Sequence, residues 1–111
     1  MLTLHPEERA WLDEYREALK RRHGDAVQRL VVYGSKARGD AHDESDIDLL
    51  LIVRDDAADL MRPLRRLGYT MAATSAMAPS IQAYTEGEWE ALRGLCSPYR
   101  AAVEREGVTV L

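Results

Sequence analysis

Two aspartates, Asp46 and Asp48, open the apolar run "IDLLLIV" (Ile47–Val53), with only Ile47 between them. Side chains alternate across a strand, so residues i and i+2 share one face about 7 Å apart. Two carboxylates placed that way repel, and each is costly to strip of water. A bound cation removes the conflict. Aspartate oxygens suit a hard ion, and Mg²⁺ characteristically takes one or two carboxylates together with substrate phosphates and water. The pair alone leaves a second reading open: a strand start emerging into solvent, with Asp46 exposed.

Upstream, Gly34 follows the strand-like run "VQRLVVY" (Val27–Tyr33), and Ser35 opens a short turn of helix. Glycine lets backbone approach a phosphate closely, and a helix start offers N–H groups to an anion. The Ser35 hydroxyl adds a donor. Lys36 and Arg38 either add positive charge to the phosphates or are simply solvated. A lone Gly-Ser is usually just a tight turn. The combination is more specific: strand, Gly-Ser, ten residues, Asp-x-Asp, buried strand. It sets a phosphate cradle beside a cation site on neighbouring strands, the layout that holds a metal–nucleoside triphosphate. In the intervening loop, Asp40, His42, Asp43 and Glu44 read as solvated surface, with Asp43 and Glu44 the two that could lean toward a metal.

The stretch "YGSKARGD…SDIDLLLIV" resembles the signature of the minimal nucleotidyltransferases in the DNA polymerase β superfamily, among them small antitoxin-like members from bacteria and archaea. The likeness continues through "PSIQAYTEGEWEAL" and "SPYRAAVEREGVTVL" and so covers nearly the whole chain. It implies an α/β nucleotidyltransferase fold, a mixed β-sheet of about four strands with flanking helices. It also implies Mg²⁺-dependent transfer of a nucleoside monophosphate, from ATP foremost, to an acceptor hydroxyl with release of pyrophosphate. By position, Gly34 and Ser35 would hold the triphosphate, with Lys36 and Arg38 the candidate cations beside them. Asp46 and Asp48 would be the catalytic metal ligands, with a two-ion site within reach. Metal would neutralise developing charge in an in-line displacement. Many small members are encoded beside a HEPN-type protein and act as antitoxins, some by adenylylating a tyrosine of that partner. Aminoglycoside-modifying relatives usually carry an additional domain.

The sequence departs from the family at one point. Active members carry a third carboxylate on a later strand. The matching run here is "SIQAYT", with Ser80, Gln82 and Tyr84 on one face and Ile81 and Ala83 on the other. Ser80 or Gln82 therefore stands where the acid is expected, and both are poor Mg²⁺ ligands beside a carboxylate. Glu86 lies just beyond and is a candidate substitute. Glu88 is better explained as the partner of Thr85 in a capping box. Two functions stay in competition: a transferase, and a nucleotide-binding subunit with impaired catalysis. A purely structural α/β domain would bind no metal nucleotide at all.

The elements that must position these residues alternate helix and strand, the pattern of an α/β layer architecture. Residues 6–23 read as a helix. Pro6 stands at its first position, Glu7 and Glu8 near the positive end of its dipole, and a basic end, Lys20–His23, precedes Gly24. Trp11, Leu12, Tyr15, Ala18 and Leu19 share its apolar face. Residues 56–77 read as a helix kinked or split at Pro63, with Arg62, Arg65 and Arg66 on or near it. Pro79–Thr85 is a third strand. Ser97-Pro98 starts a last helix that stops at Gly107, and Val108–Leu111 forms a short strand that could pair with a second copy if its edge is exposed.

With 111 residues, one domain spanning 1–111 is expected. A net charge of −4 argues against stand-alone binding of long nucleic acid. The single cysteine, Cys96, excludes an intrachain disulfide and reads as a buried structural thiol. No secretory leader and no apolar run near the roughly 20 residues of a membrane span is visible, so a cytoplasmic protein is expected.

Overall fold

The computed structural model describes residues 2–39, 46–75 and 77–111. Four strands, β1 (Val27–Tyr33), β2 (Ile47–Val53), β3 (Pro79–Thr85) and β4 (Val108–Thr109), form one mixed sheet in the order β3-β2-β1-β4. β2 runs antiparallel to β1 and parallel to β3, while β4 pairs antiparallel with β1 at the far edge. The apolar sequence of β2 suits this central place, because a strand covered on both faces has little use for alternation. Around the sheet lie α1 (Pro6–His23), α2 (Ser35–Arg38), α3 (Met61–Ala72), α4 (Glu86–Gly94) and α5 (Pro98–Glu106).

The two faces of the sheet are covered unequally. On one, Trp11, Leu12, Tyr15 and Leu19 of α1 and Leu64 and Ala72 of α3 pack against Leu30, Val32, Leu49, Leu51 and Ile81. Polar edges of the aromatic rings are satisfied within this layer. Trp11 Nε1 donates to the Gly68 carbonyl at 3.0 Å and Tyr15 Oη to that of Leu64 at 2.8 Å. Gly68 makes the approach of α3 possible, since a Cβ there would lie 2.6 Å from Ile81 Cδ1 and 3.0 Å from the Tyr15 ring. The opposite face carries a smaller cluster of Val31, Leu50, Ile52, Trp89 and Val103, flanked by Tyr33, Tyr84 and Tyr99. Arg100 joins α4 to α5 there. Its guanidinium lies 5.1 Å from the Trp89 ring centroid and donates to the Trp89 carbonyl.

The edge strand β3 is blunted at Ile81. Arg65 Nε donates to its carbonyl at 2.8 Å, and its N–H donates to the Tyr69 hydroxyl at 2.9 Å. Unpaired edge groups invite other chains, and side chains from α3 occupy them instead.

Two expectations needed correction. The helix read over 56–77 is a 3-10 turn, Asp55–Leu60, followed by α3, which ends at Ala72. The break falls at Ala57 (φ −116°, ψ 22°), not at Pro63. Pro63 sits in the first turn of α3, where its missing N–H would have had no partner within the helix. Cys96 is exposed, not buried. Only three residues link α4 to α5, so the chain must reverse at once, and Cys96 takes a left-handed φ of 52° in that reversal. Its N–H donates to the Arg93 carbonyl, closing the end of α4. Among the described residues, no helix is long and apolar enough to cross a membrane.

Candidate functional site

The strand directions gather one edge of the sheet into a site. β1 ends where β2 and β3 begin, so Tyr33 stands opposite Asp48, and Asp48 stands beside Ser80. Asp48 shares its face with Tyr33, Leu50 and Ser80, the face covered only in part by α4 and α5. Asp46 lies just before the strand and is exposed.

Gly34 turns the chain out of β1 with φ 75° and ψ −154°, a combination that only glycine adopts without strain. A Cβ on Gly34 would lie 2.7 Å from Oδ2 of Asp48. The turn and the carboxylate are therefore in contact through the space that the missing side chain leaves. Ser35 follows as the first residue of α2. The Gly34 carbonyl accepts from the N–H groups of Ala37 and Arg38 at 3.1 and 3.0 Å. Gly39, at φ 84°, closes the turn by donating to Ser35 at 3.0 Å.

Asp48 bears the electrostatic load of this arrangement. Burial pushes its carboxyl above the ordinary value of 3.8, the neighbouring Asp46 charge adds to the rise, and Arg38 opposes it. A carboxylate made costly by burial and by a like charge gains most from a cation.

The two cations expected at the cradle are placed differently. Arg38 is exposed, and its guanidinium meets Glu106 Oε2 at 3.0 Å while its field still reaches Asp48. Lys36 does not match the expectation. Its side chain is 2% exposed and its ammonium lies 3.0 Å from Oε1 of Glu8. Glu8 is itself buried and also accepts the His5 N–H at 2.9 Å. The Lys36 charge is thus committed inward to α1. Lys36 is neither solvated nor aimed at the cradle, because α2 turns residue 36 toward the core.

On β3, Ser80 is half-buried and directly paired with Asp48, and Gln82, two residues on, is exposed on the same face. Glu86 cannot stand in for the missing acid. The parallel register pairs Thr85 with Val53 at the far end of β2, so Glu86 begins α4 about 17 Å along the strand from Ser80. Glu88 forms the capping box with Thr85, as expected: Glu88 N–H donates to Thr85 Oγ1 and Thr85 N–H to Glu88 Oε1. Asp40, His42, Asp43 and Glu44 lie outside the described residues. Among the described residues, no group of three or more His, Cys, Asp or Glu could hold a metal. Asp46 and Asp48 still suit Mg²⁺, which uses one or two carboxylates when substrate phosphates complete its shell.

Tyr33 enters the site as a residue that sequence reasoning passed over. It opposes Asp48, and its hydroxyl accepts from that of Tyr99 at 3.1 Å, with the rings edge-to-face at 5.5 Å between centroids. Its position immediately before Gly34 was the available signal.

The chain is similar to known proteins in sequence and in fold. Residues 12–93 match the family model described as nucleotidyltransferase domain. A curated protein of Methanocaldococcus jannaschii, named "Putative protein adenylyltransferase", is 41% identical over 46 residues. That match covers 41% of this chain and 45% of the relative, so the chain spans less than half the length of the relative it matches. A solved structure named "putative minimal nucleotidyltransferase" superposes with a TM-score of 0.58 at 26% identity, covering 90% of this chain and 89% of the other. A second, described as a toxin-antitoxin with AMP-PNP, superposes with a TM-score of 0.52 at 19% identity, covering 89% of this chain and 72% of that one, a likeness of fold. With the signature at the sheet edge and the family model spanning residues 12–93, the chain belongs to the nucleotidyltransferase domain family.

Proposed function

We propose that this chain binds a Mg²⁺–nucleoside triphosphate at the sheet edge and transfers its nucleoside monophosphate to a hydroxyl on a partner protein. Gly34 and Ser35 cradle the phosphates, Arg38 adds positive charge beside them, and Asp46 and Asp48 hold the metal. The metal supplies charge neutralisation during in-line displacement. The observation that carries this reading is the contact between Gly34 and Asp48, which sets the positive-φ turn of the proposed cradle directly against a proposed metal ligand. ATP is favoured as donor because a similar protein is named an adenylyltransferase and a similar fold was solved with AMP-PNP. The toxin-antitoxin description of that fold favours a protein acceptor, of the HEPN type by family resemblance, and use of a nucleoside triphosphate favours a cytoplasmic setting.

The test is incubation with Mg²⁺ and α-labelled ATP, with and without the product of the neighbouring gene. Label on that partner, lost with Asp48→Ala, supports the transferase. Unlabelled partner together with no measurable ATP binding would sink it.

One observation favours a second reading, a nucleotide-binding subunit that does not transfer. The face of β3 beside Asp48 offers Ser80 and Gln82 where an acid would complete the site. ATP binding without label transfer in the same experiment selects it.

A further inference from the structure

The Glu8–Lys36 pair lies outside the chemistry just described, yet it is the most deeply buried charge pair among those described. Buried ion pairs are poor stabilisers, because desolvation offsets their attraction, and an apolar pair of similar volume usually serves a core as well. What such a pair supplies is direction: an ammonium and a carboxylate oxygen meet at one distance and from few angles. The element it directs needs help. α2 is four residues long, too short to hold its own shape. It is tied down from the amino-terminal side twice at the same residue. Lys36 Nζ reaches Glu8, and the Lys36 carbonyl accepts the Thr3 N–H at 2.7 Å. Glu8 is in turn fixed by the His5 N–H at the start of α1.

We propose that Glu8 and Lys36 are positioning residues for the triphosphate cradle. The pair clamps α2 to α1, so that Ser35 and the backbone turn at Gly34 face the metal-binding aspartates. This rests on the nucleotide reading above for its consequence, but the clamp is a property of the free protein. Lys36 acts from behind the cradle, through the backbone it anchors, and does not touch phosphate.

The experiment compares the wild-type chain with Glu8→Gln and with the double variant Glu8→Leu/Lys36→Met, which removes both charges without stranding one. Three readouts are taken: thermal midpoint, amide exchange of Ala37, Arg38 and Gly39 relative to β2, and Mg²⁺–ATP affinity. In Glu8→Gln the α2 amides are expected to exchange roughly a hundredfold faster than in the wild type. In the double variant the midpoint stays near wild type and β2 stays protected. Its α2 amides still exchange faster, and ATP binds about tenfold more weakly or worse, the scale set by small misplacements. Wild-type exchange in α2 and wild-type ATP affinity in the double variant would overturn the proposal. A wild-type chain that bound no Mg²⁺–ATP would remove the nucleotide reading, while the exchange comparison would still decide the clamp.

Discussion

Gly34 and Asp48 occupy one another's space: Oδ2 of Asp48 lies 2.7 Å from where a Cβ on Gly34 would stand. Gly34→Ala therefore combines strain at φ 75° with a collision against a carboxylate. A cost of about 1–3 kcal/mol is expected from the backbone alone. That corresponds to roughly 4–8 °C in Tm per kcal/mol for a domain near this size. Calorimetry and ATP titration on the same variant check it. An unchanged Tm with intact ATP binding would contradict the contact.

Asp48 makes the stability of the free protein depend on pH in a defined sense. Its carboxyl is held above 3.8, so the folded chain binds that proton more tightly than the unfolded chain. Between 3.8 and the raised value, stability falls as pH rises, and above it the penalty is complete. Asp48→Asn should then raise Tm at neutral pH without metal, with the gain shrinking to nothing as pH drops below 3.8. Added Mg²⁺ with ATP should reverse the order, stabilising the wild type alone. Paired melting curves against pH, with and without metal nucleotide, read both signs.

The missing third acid can be supplied from the solvent side. Gln82 is exposed on the face of Asp48, so Gln82→Asp adds a carboxylate at small desolvation cost. Ser80 is half-buried and directly beside Asp48, so Ser80→Asp adds a stronger repulsion. Metal-free Tm should fall more for Ser80→Asp. Mg²⁺-dependent label transfer should rise about tenfold for Gln82→Asp, since a hard cation gains a ligand. Transfer by Gln82→Asp no greater than wild type would remove the idea that acid count limits the reaction.

Three tyrosines should resist ionisation while the chain is folded. Burial pushes the Tyr15, Tyr33 and Tyr99 hydroxyls above their ordinary value of 10.0, and Tyr99 is raised further as donor to Tyr33. The folded state keeps these protons longer, so stability drops as pH rises past 10. An absorbance titration should show them ionising only together with loss of circular dichroism. Tyr99→Phe removes one hydroxyl bond, costing about 1 kcal/mol.

The sequence was most legible where local signals carry their own partners. Pro6, the box of Thr85 and Glu88, and Ser97-Pro98 mark helix starts that the structure places at the same residues. Alternation in "SIQAYT" assigned Ile81 to the core and left Ser80 and Gln82 on the site face. Legibility failed where the partner is distant. Lys36 finds Glu8, and only the packing of α1 brings them together. A trace of this was present, since Glu8, Trp11, Leu12 and Tyr15 lie on one helical stripe, all of them buried. An acid on an apolar stripe signals a buried counter-charge. The loop at Cys96 failed for a different reason: thiols are usually buried, but a three-residue reversal leaves no choice of direction.

The chain has two tryptophans, and the sheet separates them. Trp11 stacks on Tyr15 at 5.2 Å in the larger cluster, while Trp89 sits in the smaller cluster, on the face that carries Asp48. The molecule thus contains two built-in optical reporters, one for each layer. Emission from a Trp11→Phe variant should register events on the aspartate side, and emission from Trp89→Phe should read the opposite layer.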